Sequence, residues 1–501
     1  MNVNPLALTL VMATVCVLVS TPFVAKIMWR WRVLDIPDGV RKLHGRVVPL
    51  AGGVGVLWGW LLATAVTVWV FPHLMSGHSE PLPFLSGLAC ACVWICILGI
   101  VDDSGHLRGR QKIIAQLVAA LILTSSGCVI SRLEFLDVHL ELGVLSLPFT
   151  VFWLIGSINA VNLIDGIDGL ATSVGVILSG TFALMALITG HRLEAVLAVA
   201  LCGALMGLLP YNFPRARIFL GDTGSMLIGL LLGTLALRCS VKSQATLTLV
   251  APVAVLSVLI FDVGMAILRR KLTGRSLYST DRGHLHNRLT QLGFTPMGVV
   301  LFVCSACTLC SAGALASLFY RNEWIALSVA STVIFSCVLA KVFGHTEFHL
   351  LLNRMQEFMR SIFRFSKPSD TPGAMTVMQI QGHLDWTPIW RNLRRVAQTG
   401  DLILVELHIN APFVHECYHA EWSRRTVATE RQWLTCVPVF HQGEIMGRIS
   451  IRGELRVSGS GSSAEQIAEF VQGLVPIESQ INQLLSPATL PCSGVVPEIA
   501  A

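Results

Sequence analysis

Charge is scarce in this chain. Asp, Glu, Lys and Arg make up 13% of its 501 residues, where a soluble domain carries about 25%. That scarcity excludes an ordinary water-exposed globule of this length. No repeat of 20–50 residues is present, which excludes a solenoid or propeller. The first apolar run, residues 6–28, lacks a basic leader and a small-residue cleavage site, so it is expected to be retained as a span. A disulfide framework is not indicated either. The fourteen cysteines are read as scattered, without metal-type C-x-x-C pairs, and as small apolar packing residues.

Apolar sequence is abundant instead. Hydrophobic residues reach 53%, and the mean hydropathy is +0.66. The expected fold is an all-α polytopic membrane protein with about eleven transmembrane helices, each long enough to cross a bilayer core. They lie near 6–28, 50–71, 84–101, 112–130, 147–164, 171–189, 193–210, 223–237, 245–268, 297–319 and 323–343. Alternate loops differ in cations. One set holds Arg30, Arg32, Arg41, Lys42, Arg46, Arg108, Arg110, Lys112, Arg215, Arg217, Arg269, Arg270, Lys271, Arg275, Arg282 and Arg288, while the other holds little beyond Arg132, Arg192, Arg238, Lys242 and Arg321. The positive-inside rule places the rich set in the cytoplasm, the N-terminus outside and the C-terminus inside.

The composition shifts near residue 344. The chain is expected to divide into a transmembrane domain (1–343), an amphipathic helix and linker (344–373), a small cytoplasmic α+β domain (374–486) and a disordered tail (487–501). Leu351, Met355, Phe358 and Ile362 give the amphipathic helix its apolar face. Strands are expected at 374–380, 402–409, 433–440 and 444–451, with a hairpin at Gln442-Gly443 and helices near 387–398 and 464–485. This pattern resembles GAF domains.

Polar motifs interrupt the apolar sequence, and all lie in loops assigned to the cytoplasm. The run Asn159-Ala-Val-Asn162-Leu-Ile-Asp165-Gly-Ile-Asp168-Gly-Leu170 separates two spans. Ionisable residues at such a place are candidates for function. Asn162, Asp165 and Asp168 recur every third residue and can share one side of a helix end. Hard oxygen ligands arranged this way suit Mg2+. Asp102-Asp103 closes the third span, and adjacent carboxylates can hold a metal or serve as a base. Elsewhere the same pair would be a solvated helix end. Phe219-Leu-Gly221-Asp222-Thr-Gly224 opens the eighth span, where a helix N-terminus favours phosphate. Its plain alternative is an N-capping Asp. Arg282-Gly-His284-Leu-His286-Asn287-Arg288 has no third soft ligand nearby, so phosphate binding accounts for it better than zinc. Arg41, Lys42 and His44 precede the glycines Gly52 and Gly53, and suit an anionic substrate or simple positive-inside anchoring.

The order of these motifs, D-x-P-x-x-x-R-K-x-H, P-x-x-G-G, DD, N-x-x-N-x-x-D-G-x-D-G-L, F-x-G-D-T-G and D-R-x-H-x-H, resembles the polyprenyl-phosphate N-acetylhexosamine-1-phosphate transferases over residues 1–343. It is closest to the bacterial branch that uses UDP-GlcNAc and undecaprenyl phosphate. The resemblance implies a cytoplasmic active site in a bacterial inner-membrane enzyme needing Mg2+ or Mn2+. It makes Asn162 and Asp222 metal contacts and puts Asp102, Asp103, His284 and His286 in the catalytic group. Phe219 would stack on uracil and Asp168 would hold the uridine. Arg282 would meet the diphosphate or sugar and Lys112 the lipid phosphate, while Arg41, Lys42, His44, Asn159 and Asp165 complete the substrate-binding set. One departure is Asn287, where this branch usually carries a further His. The implied partners are a UDP-N-acetylhexosamine, undecaprenyl phosphate and membrane lipid, and not nucleic acid. A homodimer and polysaccharide-assembly proteins meeting the C-terminal domain are further candidates. The competing readings are a phospho-MurNAc-pentapeptide transferase, a transporter or flippase, and a non-catalytic scaffold. A transporter would place its acids near span midpoints, where only Asp262 comes close.

Overall fold

A computed structural model of the protein describes residues 4–36, 47–75, 81–135, 138–239, 241–243, 246–248, 250–272, 283–345, 374–381, 384–400, 402–411, 416–424, 432–441, 444–454 and 463–485. Its contacts divide into two units, Met1–His345 and Thr346–Ala501. The expected amphipathic helix and linker, the Gln442-Gly443 turn and the terminal tail lie outside the described residues, apart from residues 344–345.

The first unit is helical, as its apolar runs require. Hydrocarbon offers backbone groups no hydrogen-bond partner, so each crossing must satisfy its own. The principal helices are α1 (Pro5–Trp31), α2 (Gly53–Val70), α3 (Pro81–Asp103), α4 (Gly109–Ser125), α5 (Ser146–Ile164), α6 (Leu170–Thr189), α7 (Arg192–Asn212) and α8 (Gly221–Arg238). They are followed by α9 (Val250–Val255), α10 (Ser257–Leu272), the short α11 (Leu285–Gln291), α12 (Pro296–Tyr320) and α13 (Glu323–Leu339). Among the described residues, seven helices are long and apolar enough to cross a membrane. The protein is a multi-pass membrane protein. The other four expected spans are occupied by α4, α8, the α9–α10 pair and α13. Exposed Val11, Val15, Val19, Phe23 and Ile27 stud α1, while Ala13, Val17, Val24 and Met28 face inward.

The centre of this unit is α8, buried from Thr223 through Leu237. It packs against α2, α3, α5, α6 and α7. Small residues permit that proximity. A Cβ on Gly53 would collide with the Gly224 backbone, and one on Gly229 would press on the Ser157–Ile158 backbone of α5. Ser157 Oγ donates to the Gly229 carbonyl at 2.7 Å and Trp153 Nε1 to the Gly233 carbonyl at 3.1 Å. The ends of α2, α3 and α5 are thereby drawn against the start of α8.

Three features depart from expectation. The ninth span is not one continuous helix from residue 245. It begins with a strand at Thr246–Thr248 and is interrupted at Leu256 between α9 and α10. Short strands also join outside the helices, with Arg132–Phe135 pairing antiparallel to Val138–Glu141 and parallel to Thr246–Thr248. Finally, the cysteines are not all scattered. Cys304, Cys307 and Cys310 recur every third residue on α12, the last two buried. Among the described residues no three His, Cys, Asp or Glu side chains form a metal-holding group.

The second unit is a five-stranded antiparallel sheet of Ala374–Gln381, Leu404–Ala411, Glu416–Ser423, Gln432–His441 and Glu444–Glu454. In space the fourth strand comes first, followed by the fifth, second, third and first. Helices Thr387–Thr399 and Ser463–Leu484 supply Ile389, Trp390, Leu393, Phe470, Leu474 and Ile477 to a core shared with Val405, Leu407, Ile409, Ala420, Ile449 and Ile451.

Candidate active site

Four helix ends meet around one ammonium group. Lys112, in the first turn of α4, places Nζ 2.6 Å from Asp102 Oδ2 at the end of α3 and 3.1 Å from Asp222 Oδ1 in the first turn of α8. Nζ also donates to Asn162 Oδ1, in the last turn of α5, at 3.3 Å. The Asn162 amide in turn donates to Asp222 Oδ1 and, at 2.9 Å, to Ser225 Oγ. Two carboxylates and a carboxamide thus converge on a single cation. Asp222 keeps 34% of its side-chain surface open against 12% for Asp102, so it is the more reachable acid.

Asp102 and Asp103 have different tasks despite being adjacent. Asp103 Oδ1 accepts from the Asp222 amide at 2.8 Å. Its Oδ2 accepts from the Thr223 amide at 3.3 Å and the Thr223 hydroxyl at 2.7 Å. These are orphan donors at a helix start, where negative charge is favoured. Asp103 therefore caps α8 and fixes Asp222, while Asp102 faces the cation. The chain reaches that cap through Gly221 at φ +72°, a conformation an L side chain rarely adopts. A Cβ there would also press on the Asp103 carboxylate.

The loop from Asp165 to Gly169 forms one side. Asp168 Oδ2 accepts from the Ala216 amide at 3.0 Å, tying this loop to the segment before α8. Phe219 lies in that segment, half-buried, with its amide on the Pro49 carbonyl and its carbonyl on the Gly52 amide, both at 2.9 Å. Asp165 makes no side-chain hydrogen bond or ion pair among the described residues. Burial, and then the charges of Asp222, Asp103 and Asp168, push its carboxyl well above the usual range.

The histidines approach the same loop. His286, on α11, abuts Gly166, where a Cβ would strike its ring. The His284 and His286 rings lie parallel with centroids 6.1 Å apart. Burial lowers His286 to about 4, partly opposed by Asp262 and reinforced by His284, so it is neutral near pH 7. His284 Nδ1 lies 3.0 Å from Asp262 Oδ2.

Asn159 differs from the expected substrate contact. Its amide donates to Gln116 Oε1 at 2.7 Å and to the Ile155 carbonyl at 2.8 Å, so it joins α4 to α5 below the cluster. Arg41, Lys42, His44 and Arg282 lie outside the described residues. The sequence reading missed Gln116, Thr223 and Ser225, and gave Asp262 no task in the site. Gln116 and Asp262 carried a usable signal, a polar side chain within an apolar run. Thr223 and Ser225 carried none beyond their closeness to Asp222.

Residues 85–240 match the family described as glycosyl transferase family 4. The chain is 33% identical over 338 residues to a probable undecaprenyl-phosphate N-acetylglucosaminyl 1-phosphate transferase of Bacillus subtilis, covering 67% of this chain and 91% of the relative. It is 30% identical to a decaprenyl-phosphate N-acetylglucosaminephosphotransferase of Mycolicibacterium smegmatis, covering 67% of this chain and 88% of the relative. A phospho-N-acetylmuramoyl-pentapeptide-transferase of Clostridium beijerinckii is 35% identical over 225 residues, covering 43% of this chain and 67% of the relative.

Proposed function

The chain belongs to glycosyl transferase family 4, as a phosphotransferase of the polyprenyl-phosphate sugar-1-phosphate type, and we propose that it transfers GlcNAc-1-phosphate from UDP-GlcNAc to undecaprenyl phosphate, releasing UMP. The observation that carries this reading is the convergence of Asp102, Asn162 and Asp222 on the Lys112 ammonium. Both substrates are anionic, so any site joining them needs positive charge between them.

The donor set fits a hard divalent ion, because three oxygen donors already surround one cation. Asn162 and Asp222 would hold Mg2+ or Mn2+, which when bound neutralises diphosphate charge and stabilises the leaving UMP. Asp103 keeps Asp222 in place through the α8 cap. Phe219 offers a half-buried ring for uracil, and Asp168 keeps the loop facing it in register. Lys112 draws in the lipid phosphate, and Asp102 orients that ammonium. An oxygen of the lipid phosphate then attacks the phosphorus carrying the sugar. The bond from that phosphorus to the bridging oxygen breaks, UMP departs, and polyprenyl-diphospho-GlcNAc forms.

The same reading places the protein in a bacterial inner membrane with the site and C-terminus cytoplasmic, at the start of lipid-linked cell-surface polysaccharide synthesis. The test of the sugar is direct. Purified full-length protein is incubated with undecaprenyl phosphate, Mg2+ and UDP-GlcNAc, UDP-GalNAc or UDP-MurNAc-pentapeptide, and the lipid product is weighed by mass spectrometry. A GlcNAc adduct is expected, and a product from another donor alone would refute the assignment.

A further inference from the structure

Asp262 is a buried acid in a membrane-domain helix, bonded to a histidine of the site, that the reaction scheme above leaves unused. It is 1% exposed, on α10. Burying a carboxylate is costly unless its oxygens are fully engaged, and both are. Oδ1 accepts from the Leu285 amide at 2.8 Å, and Oδ2 lies 3.0 Å from His284 Nδ1. The first bond caps the start of α11, for which His284 is the N-cap residue. A cap alone would be served by a neutral Asn or Ser. The second bond goes to an imidazole that is itself 4% exposed and lies parallel to His286, the ring that abuts Gly166.

With Asp262 ionised its oxygens can only accept, which puts the proton of this contact on His284 Nδ1. Nε2 is then the ring nitrogen left for other partners. The orientation logic is that of a histidine held by a buried carboxylate.

We propose that Asp262 is a positioning residue that holds His284 through Nδ1, presenting Nε2 to the diphosphate of the sugar donor. This rests on the function proposed above. Asp262 also ties the histidine pair to α10 through Leu285, so one side chain sets both the ring's tautomer and its place.

The test uses the full-length enzyme with Asp262→Asn, His284→Asn and the double substitution, reading kcat, KM for UDP-GlcNAc and the thermal midpoint. Asp262→Asn keeps the side-chain volume and one acceptor for Leu285. It is expected to lower kcat by roughly 10- to 100-fold, the range for losing an outer partner that orients a functional histidine, with KM and the midpoint little changed. In the His284→Asn background the same change is expected to cost less than about twofold, since residues acting as a unit are not additive. Equal losses in both backgrounds, or an unchanged kcat, would overturn the proposal. If Asp262→Asn does not fold, Asp262→Glu replaces it in the same cycle and is judged by the same comparison. A wild-type enzyme inactive with every UDP-sugar would instead remove the functional reading and this inference with it.

Discussion

Lys112 Nζ and Asp102 Oδ2 lie 2.6 Å apart, and the same ammonium is 3.1 Å from Asp222. Lysine thus occupies the position that the proposed reaction assigns to a metal. Asn162 and Asp222, the residues that would hold a divalent ion, are both engaged by Lys112, so the ammonium and such an ion would compete for the same oxygens. Lys112→Gln is therefore predicted to tighten Mn2+ binding, read by electron paramagnetic resonance, by about tenfold. Binding of undecaprenyl phosphate should weaken in the same variant. Weaker Mn2+ binding would mean that Lys112 assists the metal.

The two neighbouring acids should separate in mutagenesis. Asp103 receives three hydrogen bonds from the start of α8, and an intramolecular hydrogen bond contributes about 1 kcal/mol net. Asp103→Ala is predicted to lower stability by about 3 kcal/mol and to lose activity with it. Asp102→Ala should lose activity while staying within about 1 kcal/mol of wild type, because it leaves the α8 cap intact. Thermal unfolding in detergent distinguishes them, and equal midpoints would contradict the division.

His286 predicts an acid limb. Its folded value of about 4 lies below the ordinary 6.5. Between those values the unfolded chain binds a proton that the folded chain does not. The stabilisation is full above pH 6.5 and is lost as pH falls toward 4, amounting to on the order of 3 kcal/mol. His286→Gln should flatten the dependence of the thermal midpoint between pH 7 and 4.5. An unaltered slope would show that the acid sensitivity arises elsewhere.

A buried ion pair should matter for stability and not for chemistry. Arg238 donates to Glu194 Oε1 from Nε at 2.9 Å and from Nη2 at 2.7 Å, at the end of α8 remote from Asp222. Removing one partner of such a pair strands the other and costs about 3–5 kcal/mol. Glu194→Ala is predicted to lower the thermal midpoint without changing KM for the donor. A changed KM would tie this end of α8 to the site.

Helix identity was legible because hydrocarbon leaves the backbone few options, and the expected spans at 147–164, 171–189 and 193–210 agree closely with α5, α6 and α7. The cluster of Asp102, Lys112, Asn162 and Asp222 was legible as polar residues at the ends of apolar spans. What spacing could not resolve was depth and direction. Asn159 precedes Asn162 by three residues on α5, about 4.5 Å further into the membrane, and it meets Gln116 there. Asp103 looks like Asp102 in sequence, yet the helix turn points it at the α8 amides. Asp262 stood out as an acid in a span, but its partner His284 is 22 residues away, across a loop whose course no periodicity encodes. In the second unit, Glu416–Ser423 escaped notice because Glu416, His419 and Glu421 dilute its strand pattern, although its partners Leu404–Ala411 impose the pairing.

The most direct measurement of the central claim is UMP release by purified protein supplied with UDP-GlcNAc, undecaprenyl phosphate and Mg2+, compared between wild type and Asp222→Ala. Asp222 exposes more of its side chain than Asp102 and shares Asn162 and Lys112 with the rest of the cluster. The account predicts acceptor-dependent UMP release by wild type and a loss of at least about 100-fold in the variant, the scale of removing a group that stabilises developing charge. Release that persists undiminished in Asp222→Ala would contradict it.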